Sequence, residues 1–136
     1  MVCKRSRYLA SPDMARKHMA GYVLCNDVSE REFQLERRGQ WSKGKSCETF
    51  NPVGSALVTP DKIGNLGDLE MTLKRNGTVT QESSIAQMVI KPDLLIYYLS
   101  KFMVLQPGDL INTGTPPSVG LGHKQSLNLK DGDSWS

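Results

Sequence analysis

Three places in the sequence put a charged or reactive side chain where a cleft could use it. Asp27 directly follows the apolar run Tyr22-Val23-Leu24-Cys25 and the amide Asn26. A carboxylate at the end of a buried strand can bind a hard cation. A turn residue or helix N-cap would look the same from sequence. Lys45 sits between Gly44 and Ser46 in a stretch of small and polar residues. An ammonium held in a cleft stabilises a developing oxyanion, whereas on an open surface it is only solvated. Gly114-Thr115-Pro116 offers a hydroxyl and backbone amides after the apolar pair Leu110-Ile111. That group suits either a carboxylate ligand or a structural corner.

Other familiar chemistries are missing from the pattern. There is no Gly-x-Ser-x-Gly elbow, no His-Glu-x-x-His and no phosphate-binding glycine loop. The two histidines, His18 and His123, have no partner pattern, and His18 reads as packed or solvated. Cys3, Cys25 and Cys47 are odd in number and form no Cys-x-x-Cys pair, which argues against a disulfide framework or a zinc site and for reduced thiols. No apolar run approaches the ~20 residues of a membrane span, and the first residues lack the apolar core of a secretory signal. The expectation is a cytoplasmic protein with no membrane partner.

Composition is that of an ordinary globular chain, 38% hydrophobic and 23% charged over 136 residues. Net charge is +3, but residues 1–45 hold ten Lys/Arg against five acids, a local excess of 10 − 5 = +5. Few aromatics interleave with those cations and no nucleic-acid module motif is present. An anionic small molecule, or a merely solvated face, explains the bias better than nucleic acid.

The elements that must position these residues are short. Ser11-Pro12-Asp13 starts a helix expected to run to about Ala20, with Tyr22–Cys25 as a buried strand after it. Residues 29–38 read as a charged helix capped by Ser29, with Glu32 closing a capping box. Leu69–Lys74 alternates apolar and polar, and Asn76-Gly77 turns it back through Thr78–Gln81 as a hairpin with Leu69, Met71 and Leu73 on one face. Pro92-Asp93 opens a second helix to about Lys101. Leu110–Thr113 should be a strand, and Lys130–Asp133 a turn before another. The class is α+β, mainly β, in a single domain over 1–136.

Taken in order, the segments Gly21-Tyr22 with Asn26-Asp27-Val28-Ser29 and Arg31, Gly39-Gln40-Trp41 with Gly44-Lys45-Ser46 and Thr49-Phe50, and Pro107-Gly108-Asp109 with Thr113-Gly114-Thr115-Pro116 resemble the fumarylacetoacetate hydrolase family. The details look nearest the ureidoglycolate lyase and 2,4-diketo-3-deoxy-L-fuconate hydrolase branch. The resemblance implies a mixed β-sandwich roll of that family's C-terminal type. It implies a Mg²⁺ or Mn²⁺ ion held by three carboxylates, with Asp27 as one ligand and Lys45 as the catalytic lysine beside it. Gln34, Thr49 and Thr115 match substrate-binding positions. The implied substrate is a small anionic 2-keto or 2,4-diketo acid, cut at a C–C bond through a metal-stabilised enolate, or ureidoglycolate. Isomerisation and decarboxylation also occur in the family. The resemblance further implies a homodimer for the full-length form.

Departures from the family pattern are equally specific. The other two carboxylates belong to a Glu-x-Glu strand expected N-terminal to Val2, outside this chain, and the family's lid histidine earlier still. Glu30-Arg31-Glu32 has that spacing but falls in the expected helix, where residues two apart diverge by ~200°. Glu30 and Glu32 also replace residues usual at those positions, and Ser118 stands where glycine is usual. The roll is expected to be incomplete at both ends, and the isolated chain inactive: a remnant of a catalytic parent.

Overall fold

The computed structural model describes residues 1–122 and 128–136; His123 lies outside the described residues. The chain divides into two units. The first is Met1–Lys62 with Asp93–Asn112, the second Ile63–Pro92 with Thr113–Ser136.

In the first unit, residues 2–6 run between two partners. On one side Ser6 and Leu105 exchange backbone bonds, and Val2 donates to Asp109 O and accepts from Gly108. On the other, Cys3 donates to His18 O and Ala20 to Met1 O. The buried core is Val2, Leu9, Ala15, Ile96 and Leu105, with Met19, Tyr97, Leu99 and Ile111 against it. Helix α1 spans Pro12–Arg16, and the Ser11 hydroxyl accepts the Met14 N–H at 3.2 Å. It stops well short of Ala20, because Met19 is taken up by an antiparallel bridge to Val2. Pairing across the fold prevails over helix propensity there. His18 is half-buried, its Nδ1 2.8 Å from the hydroxyl of the fully buried Ser6.

The helix opened by Pro92 runs Pro92–Leu99, with Ile96 inward. Arg16 Nη2 meets Asp93 Oδ2 at 2.6 Å, and this bond holds the Asp93 carboxyl below its usual range. Helix α2, Pro60–Ile63, was not anticipated. Two expected strands differ. Tyr22–Cys25 makes only isolated bridges, Tyr22 to Val58 and Cys25 to Val53. Three residue steps on one side face five on the other, so the ladder breaks between the bridges, and Leu24 is left 71% exposed. Leu110–Thr113 lies in no strand: regular pairing stops at Asp109, and Asn112 is held through its side chain by Asn51 at 2.9 Å.

The second unit contains the hairpin. Strand β1, Glu70–Arg75, pairs antiparallel with β2, Thr78–Ser84. Asn76 (φ 49°) and Gly77 (φ 79°) are both left-handed, as a type I′ turn requires. Met71 and Leu73 are half-buried on one face while Glu70, Thr72 and Lys74 are exposed, as the alternation requires. A bulge at Thr80 shifts the register between Leu73 and Lys74, and the Thr80 hydroxyl donates to Leu73 O at 3.1 Å. Residues 134–136 add an edge to β1 through Lys74–Ser136 and Asn76–Ser134 backbone bonds, after the expected turn at Lys130–Asp133. Asp133 locks this edge. Its carboxylate accepts from Asn76 Nδ2 (2.7 Å), Lys130 N (2.8 Å) and Arg75 Nε (2.8 Å). Those bonds, the Asn76 amide first, hold its pKa down to about 2.

A depressed carboxylate contributes stability that is fully present above its unfolded pKa, roughly 3.9. That contribution is lost as pH falls through the folded value of about 2. Asp133→Asn should therefore lower the thermal midpoint at pH 6, with the gap to the native chain closing between about pH 4 and pH 2. Melting curves across that range check it, and a pH-independent gap would refute the electrostatic origin.

Candidate functional site

The site of the first unit is built from two tight turns packed on each other. Residues Glu32–Glu36 form a π-helical turn rather than the expected α-helix. Ser29 does not cap it. The Glu30 carboxylate does, accepting from Glu32 N–H at 3.0 Å. Glu32 in turn pairs with Arg37. The two glutamates of Glu30-Arg31-Glu32 are thus engaged in separate local contacts. Wide turns of this kind re-aim a side chain, and here Gln34 points inward, 1% exposed. Arg31 Nη1 donates to Gln34 Oε1, and Gln34 Nε2 is buried with no protein partner. An orphaned buried donor costs ~1–3 kcal/mol.

Trp41–Lys45 is a 3₁₀ turn. Gly44 is buried within it, and its carbonyl accepts from Glu30 N–H at 2.8 Å. A Cβ at Gly44 would lie 2.5 Å from Glu30 O and 2.7 Å from Gln34 Cβ, so no larger residue fits without displacing backbone. This contact fixes the next residue. Lys45 Nζ lies 2.9 Å from Asp27 Oδ2 and donates to Asp27 O at 3.2 Å. Both side chains keep access to solvent, at 31% and 40% exposure. Asp27 and Lys45, eighteen residues apart, are brought together as the family resemblance implied.

Cys25, two residues before Asp27, donates its thiol to Asn112 Oδ1 at 3.3 Å. Burial, and then the neighbouring Asp27 charge, push that thiol's pKa up. Thr49 is exposed in the turn Cys47–Phe50, after the 3₁₀ turn has ended, and not on a continuing helix. Thr115 belongs to the second unit, where its hydroxyl accepts from Gln81 Nε2 at 3.3 Å. The same amide reaches the carbonyls of Pro116 and Pro117. Sequence reasoning assigned no role to Gly44 or Arg31. The signal for Arg31 was present, since it stands three residues before Gln34 and so on the same side of a helical turn.

Among the described residues no three His, Cys, Asp or Glu side chains converge as a metal-ligand set. Asp27 offers one hard oxygen ligand, its carboxylate already paired with Lys45, and the described residues add no second one beside it. A hard oxygen of this kind suits Mg²⁺ or Mn²⁺.

Comparison with known proteins gives a consistent result. The family model described as "Fumarylacetoacetate (FAA) hydrolase C-terminal" matches residues 1–136. The chain is 52% identical over 124 residues to 2,4-didehydro-3-deoxy-L-rhamnonate hydrolase of Sphingomonas sp. strain SKA58, covering 90% of this chain and 44% of that protein. It is 44% identical over 134 residues to the mitochondrial oxaloacetate tautomerase FAHD2A of Bos taurus, covering 98% and 42%. It thus spans less than half the length of these relatives. Among solved structures, fumarylacetoacetate hydrolase of Exiguobacterium antarcticum superposes with TM-score 0.91 at 34% identity, over 99% of this chain and 48% of that one. Fumarylpyruvate hydrolase of Pseudomonas aeruginosa, in complex with Mn²⁺ and pyruvate, gives TM-score 0.84 at 28% identity, over 98% and 55%. These structures bear out the expected roll-type fold class.

Gly44→Ala should destabilise the chain by ~1–3 kcal/mol, the usual cost of forcing volume into a packed site. Denaturant unfolding measures it. An unchanged midpoint would show that the two turns are not docked at Gly44.

Proposed function

We propose, since this chain belongs to the fumarylacetoacetate hydrolase family, that it carries the lysine side of the active site of a divalent-metal enzyme acting on a small 2-keto or 2,4-diketo acid. The observation that carries this reading is the Asp27–Lys45 contact at 2.9 Å, with both groups open to solvent. A bound Mg²⁺ or Mn²⁺ supplies Lewis-acid polarisation of a keto oxygen. Asp27 would hold that ion, with further ligands from outside these 136 residues. The three free thiols support a reducing compartment such as the cytoplasm.

The chain's own residues have separable tasks in this reading. In hydrolysis water adds to the carbonyl that leaves as a carboxylic acid. As the C–C bond beside it breaks, the bonding pair passes to the other carbon and is delocalised to its keto oxygen. That carbon then takes a proton from water. The Lys45 ammonium meets the charge growing on that keto oxygen. Gln34 Nε2, buried and unpartnered, donates to a substrate oxygen. Exposed Thr49 adds a weaker contact. A second reading is keto–enol interconversion, which develops the same enolate charge without bond cleavage. The tautomerase relative, 44% identical to this chain, favours keeping it. Ureidoglycolate cleavage and decarboxylation would draw on the same groups. For the 136 residues by themselves, one carboxylate at the site supports little or no turnover.

In a full-length relative, the change equivalent to Lys45→Ala should lower kcat by about 10²-fold with a much smaller change in KM, since the lysine meets charge that grows in the transition state. Steady-state kinetics on a 2,4-diketo acid test this. A change confined to KM would reduce Lys45 to a substrate-binding residue.

A further inference from the structure

We propose that the first unit carries a phosphate-binding hollow, formed by Arg7, Tyr8 and residues 100–104 just after the helix Pro92–Leu99. It takes a phosphate group, either free or as a monoester. It draws on neither Asp27 nor Lys45.

Two cations line the hollow and no carboxylate does. Its volume is about 130 Å³, several times the roughly 10–15 Å³ that one water needs. Among the described residues neither Arg7 nor Lys101 has a carboxylate within ion-pair distance. Each cation is backed by an aromatic ring instead. The Arg7 guanidinium lies 5.0 Å over the Tyr8 ring, and the Lys101 ammonium 4.4 Å over the Tyr97 ring. A ring face attracts a cation without neutralising its charge. Lys101 Nζ donates to Leu9 O at 2.6 Å, which leaves two of its three donors. The Arg7 guanidinium brings a planar fork that matches phosphate oxygens in pairs. Together the two side chains carry the charge that complements a phosphate monoester near neutral pH, about −1.5 to −2.

The backbone is committed to this shape. Tyr8 stands in the left-handed region at φ 50°, which a bulky side chain rarely adopts. Ser100, only 1% exposed, locks it there. The Ser100 carbonyl accepts the Tyr8 N–H at 2.8 Å, and the Ser100 hydroxyl accepts the Leu9 N–H at 3.2 Å. That hydroxyl in turn donates to Tyr97 O at 2.7 Å. With Lys101 on the Leu9 carbonyl, both peptide groups flanking the strained residue are held. Strain of this kind persists where its surroundings over-determine it, and ligand clamps are one such place. Here it leaves the Tyr8 ring 62% exposed beneath the Arg7 guanidinium.

The test titrates the ¹⁵N-labelled 136-residue chain with inorganic phosphate, with pH fixed and ionic strength held constant by sodium chloride. The amide shifts of Tyr8, Leu9 and Lys101 are read. All three should move and saturate together. Arg7→Gln, a change on an exposed side chain, should weaken binding about tenfold, as loss of a charge-assisted hydrogen bond does. Lys101→Met should weaken it at least as much. Circular dichroism checks its fold, and Arg7→Gln decides the matter if Lys101→Met unfolds. Lys62→Met, which removes a charge outside the hollow, should leave binding unchanged. A parallel titration with phenyl phosphate separates the two sources: tighter binding assigns a monoester, and equal or weaker binding assigns free phosphate. Absence of saturable shifts in the native chain overturns the proposal. So does phosphate binding that Arg7→Gln leaves intact, or that Lys62→Met weakens as much as Arg7→Gln.

Discussion

The close approach of two backbones at Gly44 is the constraint on which the candidate site depends. A 3₁₀ turn and a π-helical turn, each weak alone, meet where one hydrogen atom replaces a side chain. The Gly44 carbonyl takes the Glu30 N–H, and the missing Cβ leaves room for Gln34. From that contact two candidate site positions follow in one step. Gln34 is pressed inward with its amide nitrogen unpartnered, and Lys45 is delivered to Asp27. Neither turn has a conventional cap or a long apolar face to hold it. The docking substitutes for both.

The two charged pairs that tie elements together elsewhere differ from this one in kind. Arg75 and Asp133 are 19% and 12% exposed and are joined by an amide and a backbone donor, so the carboxylate is fully satisfied and its proton affinity falls. Arg16 and Asp93 link the end of one helix to the start of another. Those contacts hold structure. Asp27 and Lys45 have fewer partners and more water, which leaves each able to exchange its partner for another.

How much of this was legible beforehand depends on the range of the signal. The hairpin and its turn were readable, because Asn76-Gly77 and the alternation through Met71 and Leu73 are local. Leu69, expected on the same face, lies before β1 and is exposed. The bulge at Thr80 and the run of β2 to Ser84 had no local signal. The start of α1 was readable from Ser11-Pro12-Asp13, but its end was not, since Met19 is claimed by Val2 from seventeen residues away. The strand at Tyr22–Cys25 was over-read for a related reason. Its apolar run is real, but its partner carries two extra residues between bridges. Asp27 and Lys45 were identified through three ordered motifs, and periodicity alone would not have joined them. The π-helical turn had no sequence signature. It lies where the Glu30 carboxylate accepts the Glu32 N–H and Gly44 packs against Glu30 and Gln34.

The central claim is that the Lys45 ammonium is held at Asp27 in solution. Nitrogen relaxation of the lysine side-chain ammonium groups measures this directly. Lys62 is an internal standard, since its ammonium is 3.8 Å from Asp61 on a side chain 76% exposed. The account requires the Lys45 ammonium to show clearly restricted reorientation beside a freely moving Lys62, and to lose that restriction in Asp27→Asn. Equal mobility of the two ammonium groups in the native chain would contradict it.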